Sequence, residues 1–359
     1  MEWTFPASGA LSADLDLAAG SVEIDLNATD EVKVRLEALD GSSQSARDQI
    51  EHAEVTFDGS RLDVRVPRRK HRDASLWLSV SVPARSSARV RTASADIACT
   101  GTLGSFECKT ASGDVVLRGD CDAAHVATAS GDVRMARVLG ELQLQSASGD
   151  VSVTSIGGRA SVTTASGDTR LGSVAHDARI RTASGDVIIG CASDGELSIN
   201  TASGDVRVGV APGVGAWLDL VTMSGDSTCS LPAEGQGETA ATLRISCRTL
   251  SGDIDVHSGS APSEGGTAGG SGWPGAEGGS GWPSAAGGTD MAGAGDPTGA
   301  IGTLPDVPDF ADSPGPPPGL AGLAGIAAGL DRLAGLAGLT DLGDLTKIGR
   351  ELRLPWRKA

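Results

Sequence analysis

Hydrophobic and polar residues alternate from Ala88 to His257 in a pattern that recurs about every eighteen residues. Each copy is centred on a variant of the motif Thr-Ala-Ser-Gly-Asp-Val. The motif aspartates are Asp96, Asp114, Asp132, Asp150, Asp168, Asp186, Asp205, Asp226 and Asp253. The first five steps are eighteen residues long, and the later ones are nineteen, twenty-one and twenty-seven. Stacked repeats tolerate insertions in one loop of the unit, so the longer steps indicate surface loops.

Apolar residues occupy four columns of this repeat: eight and six positions before the Asp, and one and three positions after it. The residues between the columns are mostly polar. Period-two alternation on both sides of a Ser-Gly-Asp turn predicts a unit of strand, turn, strand and loop. One such pair of strands cannot bury its apolar face, but stacked copies can. The pattern therefore predicts an all-β fold, a parallel β-solenoid (single-stranded β-helix-like) of about nine 18-residue coils over residues 88–257.

The glycine of the motif is predicted to have a structural role in the turn. Glycine adopts positive φ without steric cost, and the neighbouring Ser and Asp can bond to nearby backbone N–H groups. The first copy has Ala95 in place of glycine, so we expect its turn to differ. The predicted turn glycines are Gly113, Gly131, Gly149, Gly167, Gly185 and Gly204.

Residues 1–87 alternate in the same way but lack the motif, and predict five or six strands. The stretch SSQSARDQIEHA within this region predicts a short helix or a loop. The stretch LAAGSVEI resembles a degenerate copy of the repeat, with Ser21 at the place of the Asp. We expect residues 1–87 to form a β-rich cap, because the end of a stacked repeat must be covered.

The chain changes character after the repeats. Residues 258–318 are rich in Gly, Pro and Ser, a composition that predicts a disordered linker. Residues 319–359 place Leu or Ile mostly every third position among many glycines, which predicts a weakly helical, amphipathic segment. Its last residues include Trp356 and five basic side chains: Lys347, Arg350, Arg353, Arg357 and Lys358.

Two roles for residues 319–359 stay open at this stage. The segment could dock onto a protein partner or an anionic membrane surface, as its apolar and basic residues suggest. Alternatively, it could fold back and cap the open C-terminal end of the solenoid, because an uncovered strand edge is a liability.

Composition narrows the classes of partner. The formal net charge of −17 disfavours nucleic acid, whose phosphates need Lys and Arg. Nothing in the sequence indicates a small-molecule substrate.

The start of the chain lacks the pattern of a secretory signal, and no apolar run is long enough for a transmembrane helix. We therefore expect the protein in the cytoplasm, with envelope association as the alternative. The six cysteines form no C-x-x-C pair, and four occupy apolar columns, where we expect buried thiols: Cys99, Cys108, Cys229 and Cys247.

Catalytic chemistry is not indicated, and neither is a cofactor. The five histidines lie far apart in the sequence, and no Ser/His/Asp arrangement or phosphate-binding loop is recognisable. The stacked aspartates are the one candidate cation site, in which calcium would bridge neighbouring coils. Each coil offers only one such carboxylate, so capping of the turn is the simpler role. The candidate calcium ladder comprises Asp114, Asp132, Asp150, Asp168, Asp186 and Asp205.

The repeated TASGDV motif, preceded by strands that end in SVSVP, resembles the bacterial "putative adhesin" family, a β-strand-repeat domain of unknown function. The resemblance covers about residues 10–257. It implies a β-solenoid and a link to the cell envelope, and it supplies no catalytic residues. We therefore predict a non-enzymatic scaffold or binding module. The alternatives are an adhesin-like envelope or surface protein and, with less support, a β-helix enzyme.

Overall fold

The computed structural model describes residues 1–28, 30–39, 43–67, 74–231 and 242–259. Within these residues the chain forms twenty-two strands and one α-helix, and most strand pairs are parallel. The nearly all-β class predicted by the alternation is therefore confirmed. Apart from residues 258 and 259, the predicted linker and the predicted C-terminal segment lie outside the described residues.

The N-terminal strands and the helix have the following bounds: β1 (Glu2–Pro6), β2 (Ser12–Ala28), β3 (Glu31–Ala38), α1 (Gln44–Glu51), β4 (Glu54–Phe57), β5 (Arg61–Arg65) and β6 (Leu76–Pro83). The strands of the repeats are β7 (Ser87–Gly101), β8 (Leu103–Thr110), β9 (Val115–Thr128), β10 (Val133–Val138), β11 (Leu142–Ser146), β12 (Val151–Ile156), β13 (Ala160–Thr164), β14 (Thr169–Val174), β15 (Ala178–Ser184), β16 (Val187–Ala192), β17 (Gly195–Ser203), β18 (Val206–Val210), β19 (Ala216–Ser224), β20 (Ser227–Cys229), β21 (Leu243–Ser251) and β22 (Ile254–Ser258).

The repeats stack into two parallel runs of strands, one before and one after the turn. The first run passes through β7, β8, β9, β11, β13, β15 and β17. The second passes through β7, β9, β10, β12, β14, β16 and β18. Each residue pairs with its equivalent one repeat later, as Val133 does with Val151. This register gives a solenoid-like stack of layers.

The core between the two runs is aliphatic. The apolar columns of the central layers are buried, as Leu144, Val162 and Ile180 show with 0% exposure each. Full burial of each such side chain contributes about 1.5–3 kcal/mol. Among the described residues, Phe106 is the one aromatic side chain that is buried. Aliphatic side chains thus form nearly all of the core in a chain that has four Phe and no Tyr.

The turn between the two strands of a layer requires glycine for two reasons. The six predicted turn glycines all have φ between 108° and 131°. A Cβ added to Gly149 would also lie 2.3 Å from the carbonyl oxygen of Gly131 in the layer beneath. The copy with Ala95 differs as expected, because β7 continues through it as one strand with no positive φ.

The N-terminal end of the stack is covered. Strand β2 pairs in parallel with β7, and Ser21 lies opposite Asp96 as the degenerate repeat predicts, so β2 is itself a layer of the stack. The other edge of β2 pairs with β5 and β6, β3 pairs antiparallel with β6, and β1 with β3. The helix α1 adds buried Gln49, whose amide nitrogen donates to the Pro67 carbonyl. As a result, Leu15 and Ile24 of β2 are fully buried.

At the C-terminal end, the last two repeats are stacked in the reverse of their chain order. Strands β21 and β22 pair with β17 and β18, and β19 and β20 pair with the outer edges of β21 and β22. The repeat of Asp253 therefore lies inside the repeat of Asp226. Among the described residues, nothing covers the outer edge of β19 and β20.

The outermost layer corrects one expectation about the cysteines. Cys99, Cys108 and Cys247 are buried as predicted, but Cys229 is exposed because its layer is the last one. Cys121 and Cys191 are also buried, within β9 and β16.

Candidate binding surfaces

The motif aspartates form a continuous hydrogen-bonded ladder along the turns. In each layer the Oδ1 atom accepts a hydrogen bond from the backbone N–H of the Asp in the next layer, at 2.9–3.0 Å. The ladder follows the order in space, because Asp253 N–H binds Asp205 and Asp226 N–H binds Asp253. One oxygen of each carboxylate within the ladder is therefore used by the neighbouring turn.

The second carboxylate oxygen of several of these aspartates faces an arginine two residues later. Arg134 Nη2 lies 2.6 Å from Asp132 Oδ2, and Arg170 Nη2 lies 2.8 Å from Asp168 Oδ2. Each guanidinium also lies within 4 Å of the aspartate of the previous layer. Within the described part of the chain, no three His, Cys, Asp or Glu side chains are grouped closely enough to hold a metal ion. The geometry of the ladder is that of a chain of capped turns.

The outward face of the first run of strands is flat and polar, and two of its cations are unpaired. Arg179 and Arg181 lie two residues apart on β15, where both point away from the core. In the part of the chain that the structure describes, neither makes an ion pair or a hydrogen bond. Their register partners are uncharged hydrogen-bonding residues on the two flanking strands: Ser161, Thr163, Ser198 and Asn200. We call this patch the arginine face.

The open end of the stack exposes apolar surface. Trp217, Val221 and Met223 on the outward face of β19 are 48%, 46% and 78% exposed. The Arg244 guanidinium lies 4.6 Å from the centroid of the Trp217 ring, a cation–π contact. The core-facing Leu218 is only half-buried, because no further layer covers it.

The second strands of the last layers line a shallow acidic groove at the same end. Its polar lining residues are Asp205, Arg207, Asp226, Thr228, Asp253 and Asp255. Arg207 lies 3.6 Å from Asp205, and it is the one basic side chain in this lining. We call β19, β20 and this groove the open end.

The buried thiols are chemically inert in this environment. Burial raises the pKa of Cys108 and Cys247 to about 12, and that of Cys121 to about 11. A thiol reacts as its thiolate, so these side chains act as small apolar groups of the core.

Sequence reasoning singled out the turn residues and an open C-terminal end, but neither the arginine face nor the order of the last two repeats. A signal for the first was present, because the sequence RIRTASGD places arginine at both outward positions of one strand. The signal for the second was weaker: the copy around Asp226 carries Ser227 and Cys229 where the other copies carry mostly larger apolar residues.

Comparison with protein families identifies the repeated domain. The model of the family described as Toastrack DUF4097 matches residues 12–260, more than half of the chain. The chain belongs to the Toastrack DUF4097 family. The match begins at β2, which agrees with the finding that β2 is the first layer of the stack. The family is a domain of unknown function, and this membership agrees with the resemblance drawn from the TASGDV motif.

Several solved structures resemble this Toastrack chain at low sequence identity. A "putative adhesin" from Bacteroides fragilis is 11% identical, with 71% of this chain and 96% of that chain covered and a TM-score of 0.38. A "putative adhesin" from Parabacteroides distasonis is 10% identical, with the same coverage and a TM-score of 0.34. A "putative lipid binding protein" from the latter organism is 11% identical, again with the same coverage and a TM-score of 0.30. At these values the likenesses carry no argument about function.

No curated protein matches the chain. Among the described residues, there is no helix with the length and apolar character needed to span a membrane.

Proposed function

We propose that this Toastrack protein is a non-enzymatic binding module whose arginine face holds an anionic polysaccharide that runs across the stacked strands. The observation that carries the proposal is the pair of unpaired guanidinium groups at Arg179 and Arg181. The protein has a large excess of carboxylates, yet both arginines lack a carboxylate partner among the described residues. A guanidinium presents a planar set of donors that matches a carboxylate or sulfate group.

The surroundings of the two arginines fit a polysaccharide. Hydroxyl and amide groups flank them on both neighbouring strands, at a strand spacing of about 4.8 Å. The face is a flat sheet surface, and an extended polymer with hydroxyl and carboxylate groups can contact several layers at once. The rigid register of the stack keeps these donors in fixed positions, which lowers the entropic cost of binding.

The overall negative charge does not oppose binding at this face. The carboxylate nearest to this face in sequence is Asp177, two residues before Arg179. Its Oδ1 atom accepts a hydrogen bond from the Glu196 N–H at 3.0 Å, and its Oδ2 atom lies 3.2 Å from Arg159 Nη2. The charge of Asp177 is therefore already compensated within the stack.

The test compares two matched double variants of the full chain. Binding of hyaluronate, a carboxylated polysaccharide, would be measured by titration calorimetry, with neutral dextran as the control polymer. Arg179→Gln with Arg181→Gln should weaken hyaluronate binding at least about tenfold, as expected for the loss of two charge-assisted contacts. Arg134→Gln with Arg170→Gln, which removes two arginines already paired with the ladder, should leave it unchanged. Absence of hyaluronate binding, or equal weakening by both double variants, would refute the proposal.

The proposal assigns the aspartate ladder a structural role instead of a calcium site. The support is that Oδ1 of each carboxylate within the ladder binds the next turn, while Oδ2 of several faces an arginine. A bridging calcium ion needs several converging oxygen ligands, and it would compete with both contacts.

The proposal also places the protein in a reducing compartment such as the cytoplasm. The support is that all six cysteines are free thiols, one of them exposed, whereas oxidising compartments favour disulfides. An adhesin-like role would instead place the arginine face outside the cell. Cell fractionation separates the two, because recovery in the envelope fraction or at the cell surface would contradict the cytoplasmic assignment.

A further inference from the structure

The two ends of the stack differ in how their core columns are covered. At the N-terminal end, Ala13 and Leu15 of β2 are fully buried beneath β5. At the open end, Leu218 and Leu220 occupy the equivalent core-facing columns but are only half-buried. One layer further in, Ile245 and Cys247 have no exposure. The outermost layer of the described structure thus leaves an apolar face and a strand edge without a neighbour.

We infer that the open end is the docking surface for residues 319–359 of the same chain. The first argument is the position at which the described chain ends. The N–H of Gly259 donates to the carbonyl of Val210 at 2.7 Å, immediately after β22. Because the last two repeats are reversed in space, β22 pairs with β20, and the chain leaves the stack one layer from the open end.

The second argument is reach. Fifty-nine residues lie between Gly259 and Gly319, and their extended length is about 200 Å. The tether therefore permits residues 319–359 to contact the open end, and a tethered segment acts at a high effective concentration.

The third argument is chemical complementarity. Residues 319–359 carry Leu or Ile at most third positions, which suits the apolar columns around Leu218 and Leu220. The groove on the outward side of the second strands at this end is acidic, with Arg207 as the one basic residue of its lining. The same segment carries five basic residues after Thr346. Its basic residues thus have an acidic surface at the same end of the stack as the apolar columns.

A second copy of the protein is a poorer occupant of this surface. Edge-to-edge pairing of two open ends would bring the two acidic grooves, each containing Asp226, Asp253 and Asp255, towards each other. Each copy also carries a formal charge of −17, which opposes self-association.

Cys229 provides a direct test in the full chain. It is exposed at the open end, whereas the other five cysteines are buried, so a thiol-reactive benzophenone can be attached there and activated by light. The expected result is cross-linking to peptides from residues 319–359 within a product of monomer mass. The matched control, Cys229→Ser with Thr56→Cys, places the probe on exposed Thr56 of β4 at the covered end and should reach this segment at least about tenfold less.

Substitutions within the segment complete the test. Leu333→Asp with Leu336→Asp should reduce the cross-link yield from Cys229 roughly tenfold, because it removes the apolar contact. These substitutions lie outside the described residues and leave the layers of the stack unaltered. Cross-links to a second copy, an equal yield from the two probe positions, or a yield unaffected by the substitutions would overturn the inference.

Discussion

The two ends of this solenoid-like stack differ in how their core-facing side chains are covered. Each layer is covered by the layers stacked above and below it, so the first and last layers each need another cover. At the N-terminal end, the residues that precede the repeats form two parallel and three antiparallel strand pairings over β2, and a helix. At the open end, the described chain supplies only its most polar repeat, which carries Ser227 and Cys229 in its core columns.

The reversed order of the last two repeats follows the same logic. The repeat of Asp253 has Ile254 and Val256 in the columns where the repeat of Asp226 has Ser227 and Cys229. The apolar copy gains more from burial on both faces, at about 25 cal/mol per Å² of apolar surface. The more polar copy forfeits less of this stabilisation when it occupies the outer position.

The largest expected difference in stability is between replacing a turn glycine in the interior of the stack and replacing one in its outermost layer. In Gly149→Val the new Cβ would lie 2.3 Å from a carbonyl oxygen of the layer beneath, at a φ of 113°. We expect a loss of about 4 kcal/mol or more in the free energy of unfolding, measured by urea titration. Gly225→Val meets a similar contact in the last layer, but that layer can separate locally, so we expect a loss of only about 1–2 kcal/mol.

Ser152→Val is the control for this experiment, because its side chain is exposed on β12, two strand positions beyond the turn. Its effect should be within about 0.5 kcal/mol of zero. Equal effects of the two glycine substitutions would show that the outermost layer is as constrained as the interior.

A smaller difference in stability is expected when a serine near each end of the stack is replaced by alanine. Ser86 is buried beside β2, where its Oγ accepts from the N–H of Leu11 and donates to the carbonyl of Pro83. Ser86→Ala leaves both buried groups without this partner and should cost about 1–3 kcal/mol. Ser246→Ala, which removes a half-exposed hydroxyl 3.4 Å from Asp219, should cost less than about 0.5 kcal/mol. Urea titration would measure both losses in the free energy of unfolding, with m-values equal to that of the unsubstituted protein. A larger loss for Ser246→Ala than for Ser86→Ala would contradict the comparison.

The cysteines distinguish the ends through their reactivity. Cys229 should be alkylated first in the native protein at pH 8, while the five buried thiols should react only as the stack opens. Mass spectrometry of peptides after brief exposure to iodoacetamide would show the order. Rapid alkylation of Cys108, whose burial raises its pKa to about 12, would contradict the structure.

The same raised pKa values predict the direction of the pH dependence of stability. A buried thiol stabilises the fold as its neutral form, so its contribution is complete below the pKa of an unfolded thiol, about 8.5. The contribution is lost as the pH rises through the folded value of about 12 for Cys108 and Cys247. Melting temperature should therefore fall as the pH is raised above about 9.

The smallest expected effect is that of calcium. If the ladder only caps turns, the melting temperature should be the same in chelator and in 1 mM calcium. A site with a dissociation constant near 10 µM would add about 2.7 kcal/mol at that concentration. A clear rise in melting temperature with calcium would restore the ladder as a cation site.

Local rules were sufficient to predict much of this fold from sequence. The alternation around Val133 and Val151 predicts strands because the period of side chains along a strand is two. The recurrence of Gly149 and its equivalents predicts turns, because positive φ favours glycine. Ser21 was recognisable as a degenerate repeat because its neighbours keep the apolar columns.

The features that the sequence did not reveal depend on which of several similar repeats stack against each other. The pattern around Leu218 matches that around Ile245, so alternation alone does not determine which repeat pairs with β17. The exposure of Cys229 follows from that choice. The arginine face was missed for a different reason: whether Arg179 and Arg181 have carboxylate partners depends on the residues of neighbouring layers.

The reversed order of the last two repeats is the central claim, and paired cysteines test it directly. Arg207 of β18 lies opposite Asp255 of β22, and Asp255 lies opposite Thr228 of β20. In a Cys229→Ser background, Arg207→Cys with Asp255→Cys places two cysteines on adjacent strands about 4.8 Å apart, within the range for a disulfide. Arg207→Cys with Thr228→Cys places them two strands, or about 9.6 Å, apart, beyond that range. The structure predicts a disulfide in the first pair and none in the second, whereas a disulfide only in the second pair would show that the repeats stack in chain order.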